Sequence, residues 1–133
     1  FKGVLDDNST GAFNRRIMVH KIAQGTNAFQ RNNNIIMSDS ARMDTKPQLE
    51  IFADDVKCSH GATVGQLDEN ALFYLRSRGI DAREARLMLM FGFAHEVIQN
   101  IPLEALRDRI DNLVLKRLRG ELSRCASCAI QCN

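Results

Sequence analysis

The stretch that decides the fold is LEIFADDVKCSHGATVG, residues 49–65, which QLDENALFYLRSRGI, residues 66–80, follows directly. The first part is short, contains several β-branched residues and is interrupted by polar corners, a pattern that is typical of strands. The second part has apolar residues at helical spacing behind a capping aspartate. Because the character changes near Gln66, the sequence predicts strands before that residue and helices after it, a mainly β then α layout.

The first half of the chain contains five β-prone runs separated by Asn, Asp, Ser and Gly. No tight Asn-Gly or Asp-Gly turn joins them, which argues against a meander of antiparallel hairpins. Short strands with polar corners instead resemble the rungs of a solenoid, so the sequence favours a parallel β-helix with an apolar stripe along its axis. The runs are FKGVL (1–5), AFNRRIMVHKI (12–22), NAFQRNNNIIMS (27–38), PQLEIFA (47–53) and VKCSHGATVG (56–65).

The second half contains three helical segments. Asp68 is a good N-cap for ENALFYLRSR, and the glycine after this run is a natural stop. Asp81 caps AREARLMLMFGFAHEVIQN, which is apolar on most sides and is therefore expected to be largely buried. Pro102 fits the first turn of the third helix, PLEALRDRIDNLVLKRLRG, in which leucines and an isoleucine form one stripe.

Composition describes a globular protein with no marked charge. The 133 residues are 44% hydrophobic and 26% charged, and the formal net charge is +2. We therefore expect neither a nucleic-acid nor a membrane-surface partner, and no apolar run is long enough to span a bilayer. The chain begins at Phe1 without a methionine, so we expect it to be a piece of a longer protein. Three of the four cysteines crowd at the end, which favours reduced thiols in a cytoplasmic compartment.

Cys58 and His60 are the first candidate site. Side chains two apart on a strand share a face, so these two residues point the same way as Val56, Ala62 and Val64. One interpretation is a hydrogen-bonded core histidine beside an inert buried thiol. A metal site is the second, although two donors do not complete a tetrahedral set and a second chain would have to supply the rest. A Cys–His catalytic dyad is disfavoured, because no third residue is evident to orient the base.

The terminal run CASCAIQC is the second candidate site. Its spacing, C-x-x-C-x-x-x-C, offers three thiols that could hold an iron–sulfur cluster or zinc. No further Cys or His follows to complete a four-ligand site, and on a continuing helix the cysteines would simply share one face. We expect the run to be dispensable. Its cysteines are Cys125, Cys128 and Cys132.

Four segments of the chain resemble the C-terminal core of the SufB/SufD family, and the SufD branch in particular. The longest is TKPQLEIFADDVKCSHGATVGQLDENALFYLRSRGI, and the others are FKGVLDDNSTGAFN, AQGTNAFQRNNNIIMSD and EARLMLMFGFAHEVI. The resemblance covers residues 1–118. It implies the C-terminal rungs of a right-handed parallel β-helix over residues 1–66, followed by a small three-helix domain over residues 67–133.

The resemblance also implies a function. Members of this family are non-enzymatic scaffold subunits of the SUF assembly, in which SufB, SufD and the ATPase SufC build iron–sulfur clusters. His60 would act in cluster assembly at the SufB–SufD interface, with Cys58 beside it. The cluster would be transient and held jointly with SufB, and this segment alone would bind none. The helical domain would bind SufC, through charged side chains that lie off the leucine stripe of the third helix: Arg107, Asp108, Asp111 and Arg117.

Two other functions stay open on the sequence alone. A SufB-like subunit would carry the main cluster ligand itself, although the motif CSHGAT favours the SufD branch. A carbohydrate-active β-helical enzyme would need paired carboxylates in a groove, whereas Asp54 and Asp55 are adjacent and face opposite sides of a strand. If earlier turns of the solenoid are missing, the strands at that end have unpaired edges, which favour association of the segment with a second copy.

Overall fold

The computed structural model describes residues 1–122, and these divide into strands followed by helices. Two compact units result, one from Phe1 to Asp68 and the other from Glu69 onward. The mainly β then α prediction is confirmed. The elements are β1 (Lys2–Leu5), β2 (Thr10–Val19), β3 (Thr26–Ile36), β4 (Arg42–Ile51), β5 (Val56–Gly65), α1 (Glu69–Ser77), α2 (Ala82–Ile98) and α3 (Glu104–Leu118).

The first unit contains two parallel sheets, between which successive strands alternate. One sheet has the order β1-β3-β5 and the other pairs β2 with β4. Lys2 pairs with Asn33, Thr10 with Arg42 and Thr26 with Val56, so each strand pairs with the second strand before or after it. Pro47 lies inside β4, where its missing N–H is tolerated because β4 has a single partner strand among the described residues.

The core of the first unit contains amides as well as aliphatic side chains. Alternation along β3 places Gln30, Asn32 and Asn34 on one face, which we call the inner face, and all three are buried. Asn34 Nδ2 donates to Asn32 Oδ1 at 2.7 Å and to the backbone oxygen of Thr63 at 3.2 Å. Buried amides require such partners, so the Asn pair ties β3 to β5. The aliphatic part of the core includes Val19, Ile35, Ala41 and Ala53.

Gly3 on β1 makes room for this amide pair. Its register partner is Asn34, and a Cβ at Gly3 would lie 2.6 Å from Asn34 Oδ1. Only a residue without a side chain allows the two strands to pair at this position. The glycine requirement here comes from a close approach, and not from an unusual backbone angle.

The second unit shows the predicted helix ends. Asp81 caps α2, since its carboxylate accepts from the backbone N–H groups of Arg83 and Glu84. Gly79 follows α1 with φ of +85°, the left-handed conformation that favours glycine. The third helix differs from its prediction at the start, where Leu103 is the N-cap and Pro102 precedes it.

Packing in the second unit is sparser than expected. The helix α2 contacts both α1 and α3, but its buried residues are only Ala85, Leu87 and Ile98. The prediction that α2 is largely buried is therefore wrong, because two neighbouring helices cover only part of its circumference. The leucine stripe of α3 is also open to solvent, with Leu103 exposed by 62%. No helix among residues 1–122 is both long and apolar enough to cross a membrane.

Candidate functional site

Cys58 and His60 lie on β5, the last strand of its sheet. The continuous strand places both side chains on the same face, as predicted. In the register with β3, Cys58 lies opposite Ala28 and His60 lies opposite Gln30. Because opposite residues of paired strands project to the same side, the Cys58–His60 pair extends the inner face of β3 out to the sheet edge.

The two side chains differ in exposure. Cys58 is a free thiol and is half-buried, whereas His60 is exposed. A core histidine would be enclosed, so the structure does not support the hypothesis of a buried His beside an inert Cys. The edge of the sheet instead carries an exposed imidazole beside a half-buried thiol, two donors that are typical of iron–sulfur and zinc sites.

Gln30 lies opposite His60 and is buried, which the sequence did not predict. Its residue is only 5% exposed, and its Nε2 has no hydrogen-bond partner among the described residues. The run QRNNN lies inside a predicted strand, but its polar composition conceals that alternate members of it face a core. Because every residue of QRNNN is polar, no alternation of apolar and polar residues in the sequence signals which members are buried.

The site holds few metal donors of its own. Within residues 1–122, no group of three His, Cys, Asp or Glu side chains is arranged to hold a metal ion. Cys58 and His60 therefore supply two ligands at most, and a tetrahedral site needs further ligands from elsewhere. The cysteines of the terminal run lie outside the described residues. They are Cys125, Cys128 and Cys132.

The four charged residues predicted for partner binding differ in their exposure to solvent. Asp108 and Arg117 are exposed on α3, and Arg107 is half-buried. Asp111 is not free, which corrects the prediction, because its Oδ1 lies 2.8 Å from Nδ1 of His95 on α2. Only 19% of the Asp111 side chain is exposed, so this carboxylate joins two helices instead of facing outward.

The second nitrogen of the His95 ring is also engaged. Its Nε2 lies 2.7 Å from Nε2 of Gln99, and the ring stacks on Phe91 with centroids 5.4 Å apart. A neutral ring that accepts from the Gln99 amide at Nε2 donates from Nδ1 to Asp111. This network holds α2 and α3 together inside the helical unit.

The decisive comparison is with protein families. Residues 1–93 match the family model described as the SufBD core domain of SUF-system iron–sulfur cluster assembly. The chain belongs to the SufBD family. The match includes Gln30, Cys58 and His60, while α3 lies beyond the matched residues.

Individual SufBD proteins resemble the chain over most of its length. A SufBD family protein of Synechocystis is 45% identical over 113 residues, which is 85% of this chain and 25% of that protein. The iron–sulfur cluster assembly protein SufD of Escherichia coli is 44% identical over 90% of this chain and 28% of its own length. SufD of Bacillus subtilis is 32% identical over 88% of this chain and 27% of its own length. The chain thus spans about a quarter of these curated relatives.

Proposed function

We propose that this chain is the C-terminal part of a SufD-type scaffold subunit, which takes part in iron–sulfur cluster assembly through Cys58 and His60. The observation that carries the proposal is the placement of an exposed imidazole beside a half-buried thiol on a sheet edge. This pair lies within the residues that match the family. The subunit acts as a scaffold and not as an enzyme.

The chemistry of the pair suits a cluster that must be released. Thiolates are the usual ligands of iron–sulfur clusters, and imidazole replaces them in some centres with a change of charge and potential. One thiolate and one imidazole leave the remaining iron positions to donors from another chain. We propose SufB as that chain, so the cluster is a transient cargo of the SufB–SufD interface and not a resident group of this segment.

We also infer that the strands are the last turns of a right-handed parallel β-helix. Strands that alternate between two parallel sheets, at a repeat of roughly 30 residues, support this inference. Connections between parallel strands of one sheet are right-handed in nearly all proteins. In such a β-helix, β5 belongs to the last turn, so its edge lies at the end of the stack.

The helical unit is proposed as the docking surface for the ATPase SufC. Its third helix exposes apolar side chains at Leu103, Leu106 and Leu113 and exposed charges at Asp108 and Arg117. Interfaces typically combine apolar anchors with charged side chains at the rim that steer association. Because Asp111 is bonded to His95, it is not included in this surface. We expect the whole assembly in the cytoplasm, where thiols remain reduced.

The test compares His60→Ala and Cys58→Ser with His20→Ala in the full-length protein. His20 is exposed and precedes the turn between β2 and β3, so it controls for the loss of an exposed imidazole. Each variant is reconstituted anaerobically with SufB and SufC, and bound iron, bound sulfide and the visible absorption of the cluster are measured. We expect His60→Ala and Cys58→Ser to lower cluster yield, while complex formation and thermal unfolding stay unchanged.

Two results would overturn the proposal. One is a wild-type cluster yield in both His60→Ala and Cys58→Ser. The other is a collapse of the fold in His60→Ala, since that would assign the imidazole a structural role. An equal loss in His20→Ala would show that the assay responds to surface histidines in general.

A further inference from the structure

A cluster of arginines lies where α1 ends and α2 begins. Residues 76–86, RSRGIDAREAR, contain four arginines and two acidic residues, so this run alone has the same formal net charge, +2, as the whole chain. We call this run the basic corner. All four of its arginines are exposed, and they are Arg76, Arg78, Arg83 and Arg86.

Both acidic residues of the basic corner are already engaged. The Asp81 carboxylate accepts from the backbone N–H groups of Arg83 and Glu84, which caps α2. Glu84 Oε1 lies 3.9 Å from Nη2 of Arg119, which follows α3. Among the described residues, no carboxylate forms an ion pair with any of the four arginines. The positive charge of the basic corner is therefore available to a partner.

The basic corner borders a groove of about 450 Å³. The apolar part of its lining is formed by Phe73, Ile80 and Ala82. The serine and the aspartate of the lining already have hydrogen-bond partners. Arg76 also lines the groove and pairs with no carboxylate within residues 1–122. The groove thus combines an apolar wall with one available positive charge.

The two neighbouring aromatic side chains of α1 differ in their surroundings. The guanidinium carbon of Arg78 lies 5.0 Å from the ring centroid of Tyr74, and its Nη2 donates to the Tyr74 hydroxyl at 2.9 Å. Phe73 is 75% exposed and lines the groove. A large exposed aromatic side chain at a groove is typical of a site that anchors a partner.

An acidic protein segment fits this combination best. Guanidinium groups bind carboxylates through paired hydrogen bonds, and aromatic side chains beside arginines are typical anchors of protein interfaces. The apolar wall would contribute nothing to the binding of a bare phosphate, whereas it would bury an apolar side chain of a peptide. A nucleic acid is less favoured, because the net charge of the whole chain is only +2.

We propose that the basic corner and its groove bind an acidic segment of a partner protein. An apolar side chain of that segment packs against Phe73 and Ile80, and its carboxylates pair with Arg76 and Arg83. This surface is independent of the Cys58–His60 pair. It uses residues of α1 and α2, whereas the surface proposed for SufC uses residues of α3.

The experiment uses the full-length protein and a fluorescein-labelled peptide that has one phenylalanine between two pairs of glutamates. Binding is measured by fluorescence anisotropy for Phe73→Ala and for the double variant Arg76→Glu with Arg83→Glu. The matched charge control is Arg109→Glu with Lys116→Glu, since both residues are exposed on α3. Phe52→Ala controls for the loss of an exposed ring, because Phe52 is 59% exposed in the strand unit.

We expect Phe73→Ala and the double arginine variant each to weaken binding of the peptide about tenfold, and both controls to match the wild type. Replacement of the peptide phenylalanine by alanine should weaken binding by a similar factor, and replacement of its glutamates by lysines should abolish binding. Binding should also weaken as the salt concentration rises. Thermal unfolding and the association with SufC in surface plasmon resonance should stay unchanged, since the substituted side chains are exposed and lie outside the α3 surface.

Four results would overturn the proposal. Absence of peptide binding to the wild type would show that another part of the protein covers the groove. An equal loss in the control at Arg109 and Lys116 would show that only the overall charge matters. Binding of an oligonucleotide as tight as that of the peptide, with the same dependence on the variants, would assign the basic corner to nucleic acid. A loss of SufC association in the variants at Phe73, Arg76 and Arg83 would make the basic corner a part of the SufC surface.

Discussion

Gly3→Ala should destabilise the strand unit far more than the same change at Gly11. At Gly3 the new Cβ would lie 2.6 Å from Oδ1 of Asn34, well inside van der Waals contact. Asn34 cannot withdraw freely, because it is 3% exposed and its Nδ2 donates to Asn32 and to the Thr63 carbonyl. At Gly11 the Cβ would meet the far ends of two flexible side chains, Leu5 Cδ2 and Met43 Sδ, each at 2.8 Å.

The expected magnitude follows from three contributions. Overpacking of a core costs about 1–3 kcal/mol. Displacement of Asn34 weakens buried hydrogen bonds that contribute about 1 kcal/mol each. Loss of backbone freedom in the unfolded chain offsets about 0.4–1 kcal/mol of this. The free energy of unfolding should therefore fall by about 2–3 kcal/mol for Gly3→Ala and by less than about 1 kcal/mol for Gly11→Ala.

The assay is urea unfolding of the full-length protein, followed by far-ultraviolet circular dichroism, together with hydrogen exchange of the backbone amides of β1 and β3. A lower midpoint with an unchanged slope indicates a change in stability alone. Equal losses in the two alanine variants would refute the reasoning, because they would show that the identity of the neighbouring atom does not matter. Wild-type stability of Gly3→Ala would refute it as well.

Three further predictions concern the helices and the chain end. Asp111→Asn should lower the free energy of unfolding by about 1–2 kcal/mol, because it removes the charged partner of a partly exposed His95. Asp108→Asn on the same helix should change it by less than about 0.5 kcal/mol. Both values are measured by urea unfolding, and equal effects would contradict a stabilising bond between Asp111 and His95. Charge reversal at both Asp108 and Arg117 should slow association with SufC in surface plasmon resonance, most clearly at low salt. An unchanged association rate would remove these charges from the docking surface. Replacement of the three terminal cysteines together by serine, at Cys125, Cys128 and Cys132, should leave bound iron unchanged. A clear drop in bound iron would restore a metal role for the terminal run.

Much of the fold could be predicted from local sequence. Each of the five β-prone runs overlaps one observed strand, and Asp81 and Gly79 mark helix ends where capping chemistry places them. The shared face of Cys58 and His60 follows from the period of a strand alone. These features depend on residues that are near neighbours in sequence, so a single sequence is enough to predict them.

The rest depends on partners that are distant in sequence. Nothing local indicates that Lys2 pairs with Asn33, or that an Asn-rich run forms part of a core. The bond between Asp111 and His95 joins two helices whose relative rotation decides which charges are free. The exposed leucines of α3 were predicted as a stripe, but the pattern cannot show whether anything covers the stripe.

The pairing of each strand with the second strand after it has a consequence for the timing of synthesis. The Asn34 amide meets its Thr63 acceptor only after β5 has left the ribosome, so β3 emerges with its polar row uncovered. Closing such long loops is slow, whereas helices form within microseconds from local contacts. The helical unit is made after the strands but needs fewer distant contacts to fold. A nascent chain that stalls before residue 56 would therefore hold an open β3 edge, and that is the species on which a holding chaperone would act.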